Sequence, residues 1–159
     1  MRKSIIIAIL CLICCCSCGT TEPTYKEFTN KGVSMLPTIK ANEVVEYDGN
    51  YEYELLERGD LVLVTDKNSE SWNADSDLYL KRVIAVGGDH LVIENGNVRL
   101  NGEVLSEEYI LDGITDGNVD IRIPEREIYV LGDNRSMSTD SRHFGTCTIE
   151  NYYGKVVVK

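Results

Sequence analysis

Apolar residues recur along this chain in short runs rather than at helical intervals. Residues 43–47, 60–65 and 78–86 are each rich in Val, Ile, Leu or Tyr and bounded by Gly, Asp or Asn, the signature of β-strands. Residues 90–105 read as a hairpin: Asn95-Gly96 joins two β-prone runs, and both residues of that pair tolerate the positive φ of a type I′ turn. Asn101-Gly102 predicts a second tight reversal, and residues 127–131 and 153–158 complete the set. Only residues 51–57 carry a period of three to four, enough for a turn or two of helix. Residues 19–30 are polar, hold a Pro and show no apolar period, so they read as a tether. The pattern predicts a mainly antiparallel β fold with little helix.

The N-terminus departs from this pattern. Arg2 and Lys3 precede an unbroken apolar run, the order of an export signal. From Ser4 to Cys18 the run falls short of the roughly 20 residues that cross a bilayer. Five of the six cysteines lie here, leaving Cys147 alone in the rest of the chain, so no disulfide framework supports the folded part, and Cys147 has no assigned role. The run CCCSCGTT resembles a bacterial lipoprotein processing site at Cys18, although Cys15 stands where Leu is usual; a short uncleaved signal-anchor is the alternative. In both cases the flanking basic residues place the following domain on the extracytoplasmic face of a cell membrane. The organisation expected is therefore residues 1–18 as signal or anchor, 19–30 as tether and 31–159 as one β-rich domain.

The net charge of −10 argues against nucleic acid as a partner and against holding the domain on anionic lipid by charge. Membrane attachment has to be hydrophobic. Trp72, in the polar loop 66–77, could reach a membrane interface or tuck against its own domain. The acidic stretch 111–120 lacks the spacing of a calcium loop and reads as solvated. No Cys or His spacing marks a metal site.

Candidate chemistry begins with Ser34, set between Gly32-Val33 and Met35-Leu36-Pro37 in KGVSMLPTIK. A Ser hydroxyl needs a base to become a nucleophile. Neither His90 nor His143 sits in a local arrangement that marks it as one. Lys81, in YLKRVIAV, has apolar neighbours, and burial there would lower its pKa toward a neutral, proton-accepting amine. On its own residues it could equally be a surface Lys. A third block, GDNRSMSTDSRHFG at 132–145, packs Asp, Asn, Arg and Ser between two glycines.

With these three blocks in this order, the chain resembles the bacterial type I signal peptidase family, membrane-bound serine peptidases with a Ser/Lys dyad. The resemblance covers most of residues 30–156, and Lys81-Arg82 followed by Gly88-Asp89 matches the family's pattern around its base. It implies a signal-peptidase-like β fold with a small hairpin extension, with Ser34 as nucleophile and Lys81 as base. It further implies Ser138 hydrogen-bonding the Lys81 amine, an Asp140–Arg142 ion pair under the site, and the Ser34 backbone N–H as oxyanion donor. Some members add a Ser two residues before the nucleophile; Gly32 stands there, which leaves the second donor open. The implied reaction is acyl transfer on exported preproteins, cut after small residues at −3 and −1, beside membrane lipid and without cofactor or metal. The same motifs fit a specialised peptidase for pilus or conjugation subunits. A non-enzymatic acidic surface lipoprotein, with Ser34 and Lys81 incidental, is the reading outside catalysis.

Overall fold

The computed structural model describes residues 22–66, 78–111 and 113–157. The expected export signal with Cys18, and Trp72, lie outside these residues. Among the described residues ten strands form two antiparallel sheets. The larger has the order β1-β2-β10-β3-β4-β9, from β1 (Tyr25–Asn30), β2 (Glu43–Asp48), β3 (Leu61–Thr65), β4 (Leu78–Val86), β9 (Ile128–Leu131) and β10 (Tyr152–Val157). The smaller has the order β7-β6-β5-β8, from β5 (His90–Glu94), β6 (Asn97–Leu100), β7 (Glu103–Val104) and β8 (Val119–Arg122). Among the described residues no helix is long and apolar enough to cross a membrane.

The expected hairpin is β5-β6, paired from Leu91↔Leu100 to Glu94↔Asn97 around Asn95 and Gly96, both at positive φ. It forms the centre of the smaller sheet, the expected small extension. The apolar run Leu61–Thr65 becomes β3, buried at all five positions because both faces of the sheet are covered. On one face Val62, Val64, Val83, Ile128 and Val130 pack against Tyr53 and Leu56 and against Phe144 of α1 (Ser141–Phe144). On the other, Leu61, Leu63, Leu80 and Val156 pack under Met35 and Ile39 of the Ser34 segment. The smaller sheet has its own core, in which Leu91, Ile93 and Val98 meet Ile84, Tyr129 and Leu131.

Two stretches differ from expectation. Half of the supposed tether is β1, which pairs in full register with β2 from Tyr25↔Asp48 to Asn30↔Glu43. Its side chains are mostly exposed, so the backbone ladder rather than an apolar period holds it. Likewise the end of the acidic stretch 111–120 enters β8, which pairs with β5 from His90↔Arg122 to Ile93↔Val119.

Candidate active site

Ser34 lies in the turn between β1 and β2, anchored by the burial of its neighbour Met35 and by a hydrogen bond from Ile39 N–H to Met35 O at 2.9 Å. Lys81 lies in β4, paired with Val62 of β3. The two side chains meet: Lys81 Nζ donates to Ser34 Oγ at 2.9 Å and to its neighbour's carbonyl, Leu80 O, at 2.8 Å. Lys81 is 1% exposed. Desolvation pulls its pKa down to about 8 against the opposing pull of Asp140 and Asp133, so an appreciable share of the amine is neutral near physiological pH. Ser34 and Lys81 open onto a cleft of about 420 Å³ whose walls include Phe28 and Asn30 of β1, Tyr47 of β2, and Leu78, Tyr79 and Leu80 of β4.

The 132–145 block forms the floor. Arg142 grips Asp140 with two parallel bonds, Nε to Oδ1 and Nη2 to Oδ2, both 2.8 Å. Burial works against the Asp140 charge, but Arg142 and the Gly132 N–H, at 3.1 Å, hold the carboxyl below the usual carboxylate range. Asp140 also caps α1, accepting from Arg142 N. Asn134 clamps the nucleophile's turn: its N–H donates to Ser34 O at 2.9 Å and its Nδ2 to Val33 O at 3.1 Å.

Gly132 is the tightest point. A Cβ there would lie 2.2 Å from Ser138 Oγ and 2.6 Å from Ser34 O. The hydrogen bond expected from Ser138 to the Lys81 amine is absent: Lys81 gives its bonds to Ser34 and Leu80, while the buried Ser138 hydroxyl lies against Gly132 and on the Asp140 side, where it helps to hold the pKa of that carboxyl down.

Side chains outside the dyad complete this assembly, and sequence reasoning gave Glu107, Tyr109 and Thr38 no role in it. Arg82 reaches Asp133 with Nε to Oδ1 at 2.8 Å and Nη2 to Oδ2 at 2.6 Å, and its guanidinium lies 4.1 Å from the Tyr109 ring centroid. Asp133 also accepts from Thr38 Oγ1, on the nucleophile's turn. Glu107 pairs with both terminal nitrogens of Arg135, whose Nε donates to Gly132 O at 3.0 Å. Asp89, of the Gly-Asp pattern, is structural: it accepts from Arg58 Nε, Val86 N and Asn101 Nδ2 and pins the turn from β4 to β5.

Comparison with known proteins gives a consistent set of matches. A family model described as "Signal peptidase, peptidase S26" matches residues 2–159. The probable signal peptidase I-2 of Synechocystis sp. is 31% identical over 127 residues, covering 79% of this chain and 58% of that protein. Signal peptidase I of Bacillus caldolyticus is 31% identical over 147 residues, covering 83% of this chain and 77% of that protein. A crystal structure of a signal peptidase I from Enterococcus faecalis V583 aligns with a TM-score of 0.49 at 24% identity, over 65% of this chain and 97% of that one. This chain thus spans less than two thirds of the length of the Synechocystis relative.

Proposed function

Because the chain belongs to the signal peptidase, peptidase S26, family, we propose that it is a type I signal peptidase working through a Ser34/Lys81 dyad. The observation that carries this reading is the 2.9 Å contact between Ser34 Oγ and a Lys81 amine buried deeply enough to titrate near pH 8. Neutral Lys81 takes the Ser34 proton as Oγ attacks the scissile carbonyl, and the protonated amine then delivers that proton to the leaving nitrogen. The acyl-enzyme is released when Lys81 deprotonates a water that attacks the ester. The Ser34 backbone N–H stabilises the oxyanion. Ser138 adds a buried hydroxyl to the floor, and the Asp140–Arg142 pair keeps that floor rigid.

The substrates are exported preproteins. Among the described residues β1 pairs only with β2, so an extended peptide can lie along its outer edge and present side chains to the cleft. Phe28, Tyr79 and Leu80 crowd the part next to Ser34, which favours small side chains at −1 and −3. Val33 and Met137 are exposed beside Ser34 and Ser138, an apolar margin suited to the surface of a membrane that holds both enzyme and substrate. Residues 1–18 serve as the signal or anchor.

The test is to incubate the detergent-solubilised protein with a preprotein bearing an Ala-x-Ala site and to identify the products by mass spectrometry, alongside the Lys81→Ala variant. Cleavage after the −1 Ala, lost in the variant, is expected. Equal cleavage by both proteins, or none by either, overturns the reading.

A further inference from the structure

The wall of the Ser34 cleft holds a buried polar side chain that the reaction described above does not use. Asn30, the last residue of β1, lines the cleft and is 4% exposed. Its Nδ2 donates to Gly32 O at 3.1 Å and to Lys40 O at 3.0 Å, and its backbone carbonyl accepts from Asn42 N–H at 2.6 Å. We propose that Asn30 is a specificity-determining residue: its Oδ1 accepts a hydrogen bond from the substrate side chain seated beside Ser34, so that serine is cut there in preference to an apolar residue of the same size. The proposal rests on the signal-peptidase reading and deepens it, from small side chains at −1 and −3 to one that also donates.

The bonds of Asn30 fix which way its amide faces. Two carbonyl oxygens meet Nδ2, and turning the amide over would set Oδ1 against both of them, acceptor against acceptor. Oδ1 therefore points away from the Ser34 loop's backbone. Among the described residues no donor reaches it. Unlike the hydroxyls of Tyr129 and Tyr152, it is not sealed within the protein, and the open space in front of Asn30 is the cleft. The same two Nδ2 bonds tie Gly32, before the nucleophile, to Lys40, after it. The acceptor and the loop that carries Ser34 are thus held as one piece.

The surroundings leave that direction free. Gly32 brings no side chain between Asn30 and the nucleophile, and a Cβ built there would meet nothing nearer than Ser34 N, at 4.0 Å. Ser34 and Lys81 are bonded to each other. A guest small enough to fit beside them meets the apolar Phe28 and Leu80 and the fixed acceptor of Asn30. Serine places a hydroxyl where it can donate to that oxygen. α-Aminobutyric acid has a methyl group in the same place, which would push water off a buried acceptor and return no bond. One oxygen serves one substrate position, so the preference belongs to −1 or to −3 and not to both.

The experiment uses the full-length protein in detergent and peptides with Ala at −1 and −3, into which Ser or α-aminobutyric acid is introduced at one of the two positions. At one position, Ser is expected to exceed α-aminobutyric acid about tenfold in kcat/KM, and at the other the two are expected to be equal. In Asn30→Leu the tenfold ratio is expected to fall to about one. Because the ratio is read within one variant, a looser loop that slows both peptides alike cancels from it. A ratio near one at both positions, an equal preference at both, or a ratio unchanged in Asn30→Leu overturns the proposal. Asn30→Ala, with the same expectation, replaces the Leu variant should that one not fold, and if neither folds the wild-type ratios decide alone. An all-Ala peptide that is uncut, or cut equally by Lys81→Ala, overturns the functional reading itself and the role of Asn30 with it.

Discussion

Lys81 is buried with no carboxylate hydrogen-bonded to it; the charges of Asp140 and Asp133 reach it only through space and do not offset desolvation. With a pKa of about 8, about one molecule in ten carries the neutral amine at pH 7. The kcat/KM of the wild-type protein should therefore climb about tenfold per pH unit below that value and level above it, and a profile flat from pH 6 to 9 would rule Lys81 out as base. The same shift acts on stability. Between the folded value of about 8 and the unfolded value of 10.5, the unfolded chain holds the Lys81 proton and the folded one does not, so stability rises with pH across that window. At pH 7 the fold still carries the full cost, on the order of 3 kcal/mol. Lys81→Met removes it. The variant should be inactive, and its stability gain from pH 7 to pH 10, measured by urea unfolding, should be smaller than the wild-type gain by about that amount.

Strand β9 ends at Leu131, and at the next residue, Gly132, the turn of the nucleophile and the floor come within van der Waals contact. Gly132→Ala places a methyl group against Ser34 O and the Ser138 side chain; a stability loss of about 2 kcal/mol or more is expected, with kcat reduced in whatever folds, and thermal unfolding with a peptide assay checks both. Local signals identified most of the other elements. The Val- and Ile-rich runs and the Asn-Gly pairs mark their strands and turns because side-chain alternation and positive φ are properties of a few adjacent residues. β1 carries no such mark: YKEFTN is mostly exposed and owes its form to the free edge of β2. α1 is only four residues long, too short for any period, and depends on the capping interactions of Asp140 and His143. The Ser34 and Lys81 contact was expected from family resemblance; their own neighbours would have suited a turn Ser and a surface Lys equally well.

At the scale of the whole molecule, the two sheets are joined under the site by the Arg135–Glu107 pair, whose side chains are 0% and 5% exposed. Glu107 precedes β8 and Arg135 follows β9, 28 residues apart. No local pattern announces such a pair, which is why sequence reading passed over Glu107. Glu107→Gln leaves the Arg135 guanidinium buried without its counter-charge, and a loss of about 3 kcal/mol in urea unfolding is expected; an unchanged midpoint would show that the smaller sheet does not brace the floor. Strand β10, Tyr152–Val157, inserts between β2 and β3, in the interior of the larger sheet, and is the hydrogen-bonded link between the β1-β2 pair that carries the Ser34 turn and the β3-β4 pair that carries Lys81. Without it the two pairs keep only side-chain contacts, among them the packing of Met35 and Ile39 on Leu61, Leu63 and Leu80. A strand that contributes no side chain to the contact thus acts as the splint that sets how far apart the two halves of the site stand.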